Sequence, residues 1–297
     1  MTEPIDVIVI GALNHDIVAE VDVAPAAGET VLARGLTRTN GGKGGNQATA
    51  AARAGATVRL LSAVGVDAEG DLQVNALAAW GVDVGGISRE ADLRTSLALI
   101  WVTPDGENTI IVTPGAKDRV SPALVAAEAT PARVVLAQSE VGAAVEDAGA
   151  ALAARLGARF VLSCGPAVMP SRETLAACDP IVVNATEARD LLAQMGADPG
   201  VPEPALADAL VAACGMSSAV VTLGARGSLV AQRGAETLVI PPVPAARVVD
   251  TTGAGDTYCG VVAARVALGD SLPDACRLAA AAATECVGWM GARPVPA

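Results

Sequence analysis

The run Asp250-Thr251-Thr252-Gly253-Ala254-Gly255-Asp256 sets small residues between two acids, after the apolar pair Val248-Val249 and before a long apolar segment of helical character. Gly253, Ala254 and Gly255 let an anion approach the main chain, and the first turn of a helix offers unpaired N–H groups carrying partial positive charge. That combination is an anion hole. A carboxylate beside a bound phosphate is unfavourable unless it takes a proton from an attacking hydroxyl, so Asp256 reads as the base of a phosphoryl transfer. The competing structural reading is a helix N-terminal acid, favourable with the helix dipole. Neither G-x-x-x-x-G-K nor G-x-G-x-x-G occurs in the chain, which excludes a Walker loop and a dinucleotide turn.

A second glycine cluster, Asn40-Gly41-Gly42-Lys43-Gly44-Gly45-Asn46-Gln47, precedes an alanine-rich helical stretch. Glycines allow close backbone contact with a ligand, while Lys43 and Asn46 supply donors, which suits a polyhydroxylated ligand or its phosphate. Read blandly, it is a flexible turn. Asn14 and Asp16 follow the first predicted strand at its carboxyl end, where open α/β sheets bind ligands, and their side chains can donate to and accept from vicinal hydroxyls. His15 is the single histidine, so a His-rich zinc site is excluded and a Ser-His-Asp triad has one candidate base, without a G-x-S-x-G elbow. The six cysteines are scattered with no C-x-x-C pair and read as reduced, buried small hydrophobes.

The elements that must position these groups alternate. Strands are predicted at Ile5–Ile10, Val58–Val64, Val134–Ala137, Phe160–Ser163, Ile181–Val183 and Ala219–Leu223. Helices are predicted at Gly45–Ala54, Glu69–Trp80, Ala143–Leu156, Glu187–Met195, Pro204–Ala213, Gly253–Leu268 and Leu272–Val287. The pattern is α/β, a doubly wound and mainly parallel sheet in one domain over residues 1–297. Segments 16–39 and 95–113 lack a following helix, and each reads as two short strands about a turn, the second turn at Pro104-Asp105-Gly106. They are expected to form a small separate β-sheet acting as a lid over the substrate crevice.

With 297 residues, 52% of them hydrophobic, the chain can bury a sizeable core. The formal charge of −12 argues against nucleic acid or an anionic membrane as partner. The apolar runs are too short for a membrane span and the amino terminus lacks secretory character, so a cytoplasmic protein is expected.

GALNHD at 11–16, GGKGGNQA at 41–48, NATE at 184–187, TLGARG at 222–227 and DTTGAGD at 250–256, in this order, make the sequence resemble the ribokinase (PfkB) carbohydrate-kinase family, its glycine cluster being most like the ribokinase branch. The resemblance implies a ribokinase-like doubly wound sheet with a β lid that also forms a homodimer interface. It implies ATP with Mg²⁺ and a potassium ion as cofactors, and transfer of the γ-phosphate to a terminal sugar hydroxyl. D-ribose is the leading substrate, ahead of a fructose-like ketose or a nucleoside. Carried over, Asn14, Asp16, Gly42, Lys43, Asn46 and Glu140 would bind sugar hydroxyls, with Ala98 and Ile100 packed over the sugar. Asn184 and Glu187 would place magnesium and phosphate, and Thr222, Gly224, Gly227 and Gly255 would line the nucleotide. Asp256 would be the base, with Gly253, Ala254 and Gly255 as the anion hole. Asp250 and main-chain oxygens near Thr252, Cys286, Trp289 and Gly291 would hold the potassium ion. The chain departs from the family's pattern at Val295, where a hydroxyl-bearing residue is usual, at Ala280, where ribokinases place a histidine, and at Ser163-Cys164-Gly165-Pro166, where N-P is common. A non-catalytic sugar sensor on the same fold would be expected to lose the base or the anion hole, and this chain retains both.

Overall fold

The computed structural model describes residues 4–104, 107–165 and 169–294. Its strands are β1 (Ile5–Ile10), β2 (Asn14–Val21), β3 (Ala33–Gly41), β4 (Val58–Gly65), β5 (Ile87–Glu90), β6 (Ser96–Val102), β7 (Asn108–Val112), β8 (Ala132–Gln138), β9 (Arg159–Ser163), β10 (Cys178–Asn184), β11 (Ser218–Thr222), β12 (Ser228–Gln232) and β13 (Leu238–Ile240). The helices are α1 (Lys43–Arg53), α2 (Ala68–Ala79), α3 (Pro122–Ala127), α4 (Ala143–Leu156), α5 (Arg172–Ala177), α6 (Ala185–Gln194), α7 (Leu206–Cys214), α8 (Ala254–Ala267) and α9 (Leu272–Cys286).

The β-branched runs that predict strands assemble a nine-stranded sheet in the order β13-β12-β11-β10-β9-β8-β1-β4-β5. Pairing is parallel from β5 through β11, and the β12 hairpin then adds two antiparallel pairings at one edge. Alternation along each strand sorts side chains between two cores, as the two-residue period demands. Ile8 and Ile10 of β1, with Val135 and Ala137 of β8, face a core closed by α3 to α7. Val7, Val9, Val134 and Leu136 face the opposite core, under α1, α2, α8 and α9. Each fully buried Leu or Ile contributes roughly 1.5–3 kcal/mol, so the strands that carry the site at their carboxyl ends are firmly anchored.

A second, four-stranded sheet has the order β3-β2-β6-β7. Segments 16–39 and 95–113 supply it, although β2 begins earlier, at Asn14, and β3 runs on to Gly41. β2 pairs antiparallel with β3 but parallel with β6, and β6 pairs antiparallel with β7. Residues 105 and 106 of the predicted turn lie outside the described residues.

Three strands and two helices escape the sequence pattern. β5, β12 and β13 are short, and β5 (ISRE) is mostly polar, so their pairing comes from neighbouring strands more than from their own composition. α3 and α5 are six-residue helices, each opened by a serine whose hydroxyl accepts an N–H three residues on.

Candidate functional site

β1 delivers the chain to Gly11–Leu13, and β2 starts at once with Asn14. The glycine cluster returns at the end of β3 and turns into α1 at Lys43, so the two polar clusters meet at the carboxyl edge of the sheet. Gly44 packs on the Gly11 backbone so closely that a Cβ would lie 2.5 Å from the Gly11 carbonyl carbon. α8 begins beside them: Gly253, in the left-handed region at φ 78°, is its N-cap, and the first helical hydrogen bond runs from Thr257 N–H to Gly253 O at 2.8 Å. The first-turn amides of Gly255 and Asp256 precede that bond and are available to an anion.

Asp256 is buried and tied to α1. Its Oδ2 accepts from Asn46 Nδ2 at 2.9 Å and its Oδ1 from Gln47 Nε2 at 3.1 Å. A cleft of about 190 Å³ opens on this carboxylate, lined also by Lys43, Asn184, Glu187, Thr222, Gly253 and Gly255. The negative field of Asp256, with Glu140 and Glu187 adding to it, pushes the Lys43 ammonium up from its usual value, so the cleft holds a firmly protonated cation among acids. Lys43 N–H also donates to Glu140 Oε2 at 3.1 Å, which fixes the acid of the 3₁₀ turn Ser139–Val141 against the glycine cluster. Burial raises the carboxyls of Glu140 and Glu187.

In the small sheet, Asp16 is paired with Ala98 in the β2–β6 register, and Val18 with Ile100, so Asn14, Asp16, Ala98 and Ile100 share one face. Gly41 leaves room for the Asp16 carboxylate, which a Cβ there would meet at 2.0 Å. Burial raises Asp16 to about 7 against the lowering effect of Arg293, with Glu140 and Asp256 adding to the rise. Asn14 Oδ1 is buried with no hydrogen-bond partner among the described residues, an acceptor that a ligand hydroxyl could use. His15, between them, points to the other face; its imidazole is buried and pushed toward the neutral form, chiefly by desolvation, and it takes no part in a triad.

The N-A-T-E segment has a local role as well. Asn184 caps α6 by accepting Glu187 N–H at 2.9 Å, and Glu187 answers by accepting Asn184 N–H at 2.8 Å, a reciprocal capping box. Glu187 Oε1 reaches toward Gly165, where a Cβ would lie 2.2 Å from it. Cleft lining takes in Thr222 at the end of β11, but not Gly224 or Gly227 in the turn beyond it.

Asp250 closes a separate cluster. Its Oδ1 accepts from Thr252 N–H at 2.9 Å and from the Thr252 hydroxyl at 2.7 Å, and its Oδ2 accepts from Gly291 N–H at 2.9 Å. The Cys286 thiol donates to Thr252 O at 3.8 Å, and Trp289 N–H to Cys286 O at 3.4 Å. These bonds lock the C-terminal loop onto the irregular lead into α8. Val295, the position of the expected hydroxyl ligand, and Pro166 lie outside the described residues. Ala280 is buried on α9.

Sequence reasoning gave no role to Gln47, Gln73 or Arg293. Arg293 Nε donates to Asn46 Oδ1 at 2.8 Å and its Nη2 to Gln73 Oε1 at 2.9 Å and to Gly41 O. Gln47 stood inside the glycine cluster and carried a signal; Gln73 and Arg293 carried none.

Known proteins resemble this chain along nearly its whole length. The sequence model for pfkB family carbohydrate kinases matches residues 4–297. The chain is similar to the ribokinase of Haemophilus influenzae, 32% identical over 288 residues that cover 96% of this chain and 93% of that one. It is similar to the ribokinase of Schizosaccharomyces pombe, 30% identical over 286 residues covering 93% and 90%. Among solved structures it resembles Arabidopsis thaliana ribokinase complexed with ribose and ATP, with a TM-score of 0.85, 30% identity and coverage of 98% and 95%.

Proposed function

This chain belongs to the pfkB family of carbohydrate kinases, and from that premise we propose that it transfers the γ-phosphoryl group of MgATP to the terminal hydroxyl of D-ribose, giving D-ribose 5-phosphate and ADP. The observation that carries the chemistry is the Asp256 carboxylate, held by two side-chain amides beside the open first-turn amides of α8. The sugar lies under the small sheet, its hydroxyls bonded by Asn14, Asp16, Gly42 and Asn46, with Glu140 bracing the glycine cluster and Ala98 and Ile100 packed above. Asp256 takes the proton of the terminal hydroxyl as its oxygen bonds to the γ-phosphorus. The bond from phosphorus to the bridging oxygen breaks, and the electron pair leaves with ADP. The anion hole at Gly253, Ala254 and Gly255, where the Gly255 and Asp256 amides are open, receives the charge on the transferring phosphoryl group, and Lys43, lining the same cleft, neutralises it.

The acids present fit a magnesium ion, which binds through few carboxylates and keeps its waters. Glu187, with Asn184 beside it, would hold it, and the ion would supply positive charge to the phosphate oxygens. Nucleotide contacts would extend along Thr222, Gly224 and Gly227. Asp250 and the main chain of Thr252, Cys286, Trp289 and Gly291 form an oxygen-rich, singly charged cluster, a donor set suited to a monovalent cation such as potassium. A cytosolic setting is part of the reading, supported by six free, buried thiols; no helix among the described residues is long and apolar enough to cross a membrane. A homodimer through the lid is supported by the exposed apolar strand β7.

Release of ADP, coupled to a reporter and measured with D-ribose, 2-deoxyribose, fructose and a nucleoside, tests the substrate. D-ribose is expected to give the highest kcat/KM, and an inert D-ribose beside an active nucleoside would refute the pentose reading. Asp256→Asn is expected to lower kcat by roughly 10²–10⁴-fold; equal rates in variant and wild type would remove Asp256 as the base.

A further inference from the structure

We propose that Arg293 is a positioning residue for the phosphoryl transfer: it fixes the direction of two side-chain amides, one aimed at Asp256 and the other at the start of the sugar-binding strand β2. The proposal rests on the kinase reading of the same site.

A guanidinium has donors only, whereas a carboxamide has a donor end and an acceptor end. Arg293 Nε donates to Asn46 Oδ1 at 2.8 Å, which turns the Asn46 NH₂ away from it and onto Asp256 Oδ2 at 2.9 Å. Arg293 Nη2 donates to Gln73 Oε1 at 2.9 Å, which turns the Gln73 NH₂ onto the main-chain oxygen of Asn14. Flipping either amide would set its NH₂ against the guanidinium and leave a buried acceptor on the far side without its donor. A third bond, from Nη2 to Gly41 O, fastens the guanidinium to the glycine cluster itself. One residue of the C-terminal loop therefore sets the polarity of two relays that end on the proton acceptor and on the sugar-binding strand.

The surroundings are shaped to this side chain. A Cβ on Gly45 would lie 2.6 Å from Arg293 Nη2 and 2.8 Å from its Cζ, so the fourth glycine of the cluster makes room for the guanidinium. Burial lowers Arg293 to about 10, which leaves it protonated at neutral pH. Its charge acts on Asp16, which also feels Glu140 and Asp256, while the Lys43 ammonium acts electrostatically on the same two acids. Removing the cation therefore raises Asp16 further, and sugar binding that needs the Asp16 carboxylate moves to higher pH.

Arg293→Met and Arg293→Gln separate direction from charge, because glutamine can donate to Asn46 Oδ1 but carries no charge. D-ribose affinity by calorimetry and steady-state rates are measured against pH for both variants and the wild type. Arg293→Met is expected to lower kcat by ~10-fold or more and to move the acid limb of ribose binding up by about half a pH unit or more. Arg293→Gln is expected to recover most of kcat while the acid limb stays displaced. Wild-type kcat and acid limb in both variants would overturn the proposal, as would a lowered thermal midpoint in both with the acid limb unmoved. Equal loss of kcat in the two would assign the effect to charge or packing instead of amide direction, and also overturn it. If the wild type neither binds nor phosphorylates D-ribose, the pentose reading is what fails, and the same two readouts apply to the sugar it does accept.

Discussion

Gly253 and Gly255 stand two residues apart at the start of α8 and answer different demands. Gly253 has φ 78°, and a Cβ there would lie 2.6 Å from Ala292, so the fold itself requires glycine. Around Gly255 a Cβ meets nothing within 4 Å among the described residues, so these have no need of a glycine there; the space belongs to the cleft. Gly255→Ala is therefore expected to keep or slightly raise the thermal midpoint, since alanine is the better helix former by up to about 1 kcal/mol. The same methyl should displace the phosphoryl group and lower kcat by roughly 10²-fold, as small misplacements at a reacting centre do. Unchanged kcat in a folded Gly255→Ala protein would show that no phosphate sits on these amides. At this scale the site was legible where chemistry is local: Asp256 and Lys43 lie in short runs whose small residues announce an anion. Arg293 was not, because its partners Gly41, Asn46 and Gln73 are more than 200 residues away in the chain, and an arginine in a Gly-Ala-Arg-Pro loop reads as ordinary surface.

The elements divide in the same way. β1, β4, β8, β9, β10 and β11 are mainly apolar and buried on both faces, so composition identifies them; β5 and β13 take their pairing from neighbours and show no such signal. The small sheet was legible from two hairpin-like stretches without helices, but the parallel pairing of β2 with β6 at its centre is a long-range choice that neither stretch encodes. Its edge strand β7 carries the next expectation. Ile110 and Val112 pair with Ile100 and Ala98 in the β6–β7 register, so they extend the face that bears Asp16, yet each is 50% exposed. An apolar sheet edge left open in this way invites a partner, and a second lid lying on it would complete the cover over the sugar. Ile110→Asp is expected to convert a dimer into a monomer in sedimentation velocity and to raise the KM for sugar more than that for ATP. A wild-type protein that sediments as a monomer at micromolar concentration would refute the lid interface.

For the molecule as a whole, two cores clamp one sheet, and an acid buried in one of them couples global stability to pH. Glu146, in the first turn of α4, is fully buried, neither carboxylate oxygen makes a well-formed hydrogen bond among the described residues, and burial raises its carboxyl to about 7. An unfolded glutamate releases its proton near pH 4.5, so between that pH and about 7 the native state holds a proton that the unfolded state has lost. Stability from this group is complete below the unfolded value and is lost as pH rises through the folded one, the opposite of a salt-bridged acid such as Glu128. There Arg59 and the Thr130 amide, outweighing burial, hold the carboxyl at about 2, and its contribution disappears only as pH falls toward that value. Glu146→Gln removes the titration while keeping shape. Its thermal midpoint should match the wild type near pH 5 and exceed it at pH 8 by several degrees, corresponding to about 2–3 kcal/mol at most. The comparison is made by calorimetry at both pH values, and an equal difference at pH 5 and pH 8 would mean that Glu146 does not titrate in the native core. Because Glu146 follows the turn that carries Glu140 by only a few residues, a gain in stability with unaltered sugar affinity would also separate this core acid from the role proposed for that turn.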